Sequence, residues 1–253
     1  MHLKSDDIVR LEIDFITGEL PPPFSHIFKL KLSFSKNFVN TQFDIQYTDR
    51  ENLSPDEIID EGFTMADDYN YKGEIPKLWE SIFKKLYSAS KWSNLKTLGE
   101  KGGIKLLAKD VHGKMIRDIP LNQEDWYFTC QDFIQAIYEI SNREAPMQIR
   151  YLEIKKDKKT VVELVYKFSI RKVVLTVNGK EKEMNWESGR ELASLIFIPD
   201  YDYSLAKEDM PVQNGKYLDC GDGFWHNFEN GIINLDPSFD AKKKIIQSFD
   251  ALI

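Results

Sequence analysis

Three times between Leu11 and Thr48 the chain alternates apolar and polar side chains: LEIDF at residues 11–15, FKLKLSF at 28–34 and QFDIQYT at 42–48. A two-residue period puts one side of an extended strand on a core and the other in water. Phe28, Leu30, Leu32 and Phe34 share one side of the second segment, and Phe43, Ile45 and Tyr47 one side of the third. Three such ribbons joined by short polar links predict an antiparallel meander. The first link, GELPPPFS at 18–25, carries three consecutive prolines and is expected to be extended, because proline donates no hydrogen bond to a sheet.

The period then changes. Ser54 and Glu57 with Pro55 between them form a capping box with proline at the first helical position. Ile75, Leu78, Trp79, Ile82, Phe83 and Leu86 recur at helical spacing. A short hairpin is expected over 103–119. A second long helix is predicted from Asn122, with Glu124 and Asp125 in its first turn and Trp126, Cys130, Phe133, Ile134 and Ile137 inward, which makes Cys130 a small core hydrophobe.

Alternation resumes at 147–154, 161–168 and 173–180. KKDKK at 155–159 reads as a solvated hairpin tip. Asn178-Gly179 between apolar runs signals a type I′ hairpin, returning through Met184 and Trp186. Ser188 with Glu191 reads as a further capping box. Asp236 before Pro237 reads as the N-cap of a last helix burying Ile245, Ile246, Phe249 and Leu252. The pattern predicts an α+β fold, with antiparallel sheets covered by amphipathic helices. The 253 residues suit two lobes, 1–121 and 122–253, with one continuous domain as the alternative. DYNY at 68–71 returns as DYDY at 200–203, a weak hint that the lobes are duplicates.

Charge narrows the partners. The net charge is −7, and of 34 basic and 41 acidic side chains residues 1–125 hold 17 and 21, leaving 17 and 20 for the rest. Neither half is basic, so no nucleic-acid partner is expected. The start, MHLKSDDIVR, has no apolar core of a signal peptide, and the apolar run at 192–198 is too short to span a bilayer, so no membrane partner is expected either. Two cysteines 90 positions apart make no disulfide framework, and a cytoplasmic location is the default.

Two stretches are candidates for chemistry. LIFIPDYDY, at 195–203, resembles in pattern the apolar strand ending in D-x-D with which some nucleotide-sugar glycosyltransferases hold a divalent cation. The resemblance implies Asp200 and Asp202 as metal ligands of a transferase. A solvated turn is the preferred reading, because the preceding segments read as antiparallel strands and no glycine-rich phosphate loop exists. The second stretch, DCGDGFWHNFENG at 219–231, offers Cys220 and His226 as a nucleophile and base, with Asp222 as the nearby acid of a hydrolase or transferase. The plainer reading is a glycine-rich loop folded onto the core through Phe224, Trp225 and Phe228. His2, His26 and His112 are scattered, and no hydrolase elbow or P-loop is present. The sequence therefore favours a non-catalytic cytoplasmic binding or accessory protein for a protein or peptide, with Tyr201, Tyr203, Phe224 and Trp225 on its binding surface and no cofactor.

Overall fold

The computed structural model describes residues 2–156 and 158–253 and turns each alternating segment into a strand. Two compact units form, Met1–Arg143 and Glu144–Ile253. The first contains β1 (Ile8–Thr17), β2 (His26–Phe34), β3 (Phe38–Tyr47), α1 (Pro55–Asp60), β4 (Tyr69–Pro76), α2 (Leu78–Ala89), β5 (Gly102–Asp110), β6 (Met115–Asp118) and α3 (Gln123–Ile140). Its sheet has the order β4-β3-β2-β1-β5-β6. Every neighbouring pair is antiparallel. Register sets Ile13 opposite Leu30 and Leu106, and Leu30 opposite Phe43. These four side chains are buried, so one side of the sheet is continuously apolar.

That side meets α2 and α3. Trp79 and Phe83 of α2 pack on Phe133 and Trp126 of α3, with centroid separations of 5.0 Å for Trp79–Phe133 and 6.3 Å for Phe83–Trp126. Burying each such ring contributes roughly 1.5–3 kcal/mol. The predicted capping box opens α1: Ser54 Oγ accepts from Glu57 N, and Glu57 Oε2 accepts from Ser54 N. Helix α3 belongs to the first unit and does not begin the second, so the division falls after Arg143 and not near Leu121. The reason lies in Gln123, whose amide bonds both N and O of Ile104 in β5, and in the inner face that includes fully buried Cys130.

The second unit contains β7 (Met147–Lys155), β8 (Lys158–Lys167), β9 (Lys172–Val177), β10 (Lys180–Lys182), α4 (Trp186–Ile196), β11 (Asp200–Tyr201), β12 (Gly215–Asp219), β13 (His226–Asn227), β14 (Ile232–Ile233) and α5 (Ala241–Asp250). Its main sheet has the order β10-β9-β8-β7-β12-β13, and β11 pairs separately with β14. Asn178 and Gly179 close the β9–β10 hairpin with φ of 49° and 78°, as type I′ geometry requires. The KKDKK tip joins β7 to β8 as expected; its Asp157 lies outside the described residues. Tyr151 stacks on Phe249 of α5 at 4.5 Å. At Gly189 in α4 an added Cβ would stand 2.6 Å from Val173 Cγ2, so this helix approaches the sheet at a distance that only glycine permits.

Three local expectations shift. The strand after Asn178-Gly179 stops at Lys182, and Trp186 opens α4 instead of extending the hairpin. The cap of α4 is Asn185, which accepts from Ser188 N at 2.8 Å, so Ser188 sits inside the first turn. The cap of α5 is Asp240, whereas Asp236 closes a turn with Ser238. At both caps two short polar side chains lie within a few residues, and local hydrogen-bonding preference alone does not rank them.

Numbered within its own unit, each main sheet reads 4-3-2-1-5-6, with a helix between strands four and five and another after strand six. The two units therefore share a topology. The DYNY and DYDY tetrapeptides are nevertheless not counterparts: the first enters β4, a fourth strand, while the second follows α4 and forms β11, which has no equivalent in the first unit. Among the described residues no helix is long and apolar enough to cross a membrane.

Candidate functional site

The hairpin from β12 to β13 pairs Leu218 with His226 and Tyr217 with Asn227, which folds residues 219–225 into a tight loop. Asp219, almost fully buried, organises that loop. Its Oδ1 accepts from the N–H groups of Gly221 and Gly223 at 2.9 and 3.1 Å, and its Oδ2 accepts from Arg150 Nε and Nη2 at 2.9 and 2.5 Å. Gly221 has φ 107°, and an added Cβ would come within 3.2 Å of the Gln148 carbonyl oxygen, so the close turn depends on glycine. The Arg150 guanidinium also lies over the Trp225 ring at 4.9 Å.

This arrangement gathers Cys220, Asp222 and His226. The Cys220 thiol donates to Asp222 Oδ2 at 3.4 Å, and His226 Nε2 meets the same oxygen at 3.0 Å. Tyr203 hydrogen-bonds the same carboxylate, and the Phe224 N–H donates to its Oδ1 at 2.9 Å. The three ligand-type atoms of Cys220, Asp222 and His226 lie within 4.8 Å of one another. His226 is fully buried, with Tyr201 and Tyr203 edge-on to its ring at 4.9 and 5.1 Å. Its Nδ1 has no hydrogen-bond partner among the described residues.

Burial pushes the Cys220 thiol up to about 12, and the Asp222 charge adds to the shift. Tyr203 is raised to about 12 by burial and by Asp222, and Tyr201 is raised chiefly by burial. Burial alone would raise Asp222, but hydrogen bonds from Phe224, His226, Cys220 and Tyr203 outweigh it and hold the carboxyl below its ordinary value. The outcome is an ionised acid ringed by hydrogen-bond donors.

Other predicted residues fall elsewhere. Trp225 is 2% exposed and packs with Leu152 and Tyr217, so it supports the loop from inside and offers no binding surface. Tyr203 is exposed and packs edge-on to Phe224, while Tyr201 is half-buried, its hydroxyl donating to the Ile196 carbonyl at 2.5 Å. Asp200 and Asp202 spend their Oδ1 atoms on local backbone, at Tyr201 N and Ser204 N respectively. The described residues hold no group of three possible ligands around that pair. Sequence reading missed Asp219 and Arg150. Their pairing depends on β12 and β7 lying side by side with Asp219 opposite Arg150, a register invisible in either segment alone.

No family model, no curated protein and no solved structure matches the chain.

Proposed function

We propose that this chain is a non-catalytic cytoplasmic binding or accessory protein that holds a protein or peptide partner. One observation carries the reading: the connection between α4 and β12 presents Phe197, Tyr203, Leu205, Met210 and Val212 to solvent, with Val212 at 89% exposure. Large exposed apolar side chains concentrated in one connection are the kind of surface that partners cover. Two buried free thiols agree with a reducing compartment.

The competing reading is a hydrolase or transferase using Cys220 and His226, and their proximity favours it. The order of the groups counts against it. A base must stand between nucleophile and acid, taking the proton on one nitrogen and holding the acid with the other. Here the carboxylate stands between, touched by both thiol and imidazole, and the remaining imidazole nitrogen faces no nucleophile.

Panning a displayed peptide library on the purified protein is expected to enrich sequences with an apolar core. Their binding should fall at least tenfold in Val212→Asp and Leu205→Asp with the melting temperature unchanged. Ester or thioester turnover that disappears in Cys220→Ser would overturn the reading in favour of the enzyme.

A further inference from the structure

We propose that Cys220, Asp222 and His226 form a binding site for a single zinc-class divalent ion. The inference stands apart from the peptide-binding surface, and either can fail without the other.

The donor set selects the metal. One sulfur, one imidazole nitrogen and one carboxylate oxygen suit a borderline-soft ion such as Zn²⁺, whereas Mg²⁺ and Ca²⁺ take oxygen ligands. Spacing comes close as well. A tetrahedral ion with zinc-like bond lengths sets its ligands roughly 3.3–3.6 Å apart. The Sγ–Oδ2 separation of 3.4 Å falls in that range, Nε2–Oδ2 at 3.0 Å is slightly shorter, and all three atoms lie within 4.8 Å, so small side-chain rotations complete the set.

Charge supplies an independent argument. Among the described residues Asp222 has no Lys or Arg partner, although its side chain is only 21% exposed. The Cys220 thiol, the His226 imidazole and the Tyr203 hydroxyl crowd this one carboxylate. A cation entering there meets a carboxylate with no Lys or Arg beside it, releases the thiol proton to solvent and gains the thiolate as a second anionic ligand. The imidazole moves its remaining proton to Nδ1 as Nε2 turns to the metal, and the unpartnered Nδ1 leaves that tautomer unopposed.

The same unpartnered Nδ1 limits affinity. Ligating histidines ordinarily donate their second N–H, and losing that support costs about 10–100-fold in affinity. The loop itself is already held by Asp219, so little ordering accompanies binding. Three protein ligands leave a fourth tetrahedral place for water or for a group from a partner.

The test uses the full chain, stripped with a chelator and kept reduced. Titration with Zn²⁺ should show one ion per chain and a rise in melting temperature. Titration with Co²⁺ should produce a thiolate-to-cobalt charge-transfer absorption. Cys220→Ser should abolish that absorption, and Cys220→Ser and His226→Gln should each weaken zinc binding about 100-fold or more, as befits direct ligands. Asp200→Asn and Asp202→Asn should leave both readouts unchanged. Absence of heat with Zn²⁺, a cobalt absorption that persists in Cys220→Ser, or equal binding of Mg²⁺ would each overturn the site. Circular dichroism of each variant separates a lost ligand from a lost fold.

Discussion

Each unit places a half-buried carboxylate in a loop, Asp67 in the first and Asp222 in the second, but the two are answered differently. In the first, Asp67 accepts from Thr64 N, Thr64 Oγ1 and Arg50 Nη1, and the Arg50 guanidinium also lies over the Tyr47 ring at 4.1 Å. A cation meets the anion, and the loop is electrostatically complete. In the second, Arg150 answers Asp219, which leaves Asp222 with no guanidinium or ammonium of its own among the described residues. The contrast lies in the loops and not in the shared topology, since the Asp67 loop joins α1 to β4 and the Asp222 loop joins β12 to β13. Where a guanidinium closes the circuit the loop is scaffold, and where the circuit stays open the loop has capacity for a ligand.

The largest effect expected is at Asp219. Asp219→Ala leaves Arg150 without its partner and frees the N–H groups of Gly221 and Gly223. Breaking a buried pair from one side costs about 3 kcal/mol, readable as a lower urea midpoint. A change under about 1 kcal/mol would mean that the loop holds itself without Asp219, against the organising role assigned here. Next comes thiol reactivity, which probes the open circuit directly. With Cys220 pushed up to about 12, iodoacetamide should label it at neutral pH at least about 100-fold more slowly than a free cysteine. Fully buried Cys130, also raised by burial, should be slow too. Fast labelling of Cys220 alone would return the thiolate nucleophile to contention.

A smaller effect sharpens the closed circuit. Burial raises Asp67, but hydrogen bonds from Thr64 and Arg50 outweigh it and depress the carboxyl below its ordinary value. A depressed folded-state value means the contribution is present above the unfolded-state carboxyl value, near 4, and disappears as pH falls through the folded one. Asp67→Asn should therefore cost about 1–2 kcal/mol at neutral pH, and the two stability curves should converge in acid. Parallel curves across the acid range would show that the Arg50 circuit contributes nothing through its charge.

Much of the architecture was legible in the chain because strands and helices impose their own spacing. The alternation of β1, β2 and β3, the Ser54 box and the Asn178-Gly179 turn each depend on a few adjacent residues. Ends of elements were less legible: Asn185 and Asp240 cap helices whose sequences offer a rival a few positions away. The limits of the units were hidden for another reason. Whether α3 opens the second unit or closes the first depends on which sheet receives Trp126 and Phe133, and amphipathic spacing marks a buried face without naming its partner.

The candidate site divides along the same line. Sequence alone fixed that Cys220, Asp222 and His226 share one short glycine-rich loop, because proximity along the chain limits how far apart they can lie. Tertiary structure alone decided their order, with the carboxylate between thiol and imidazole, since that order depends on φ 107° at Gly221 and on a buried Asp219 clasped by Arg150 from a neighbouring strand. Local spacing follows from covalent geometry, whereas the direction in which side chains converge is set by pairings between segments distant in sequence.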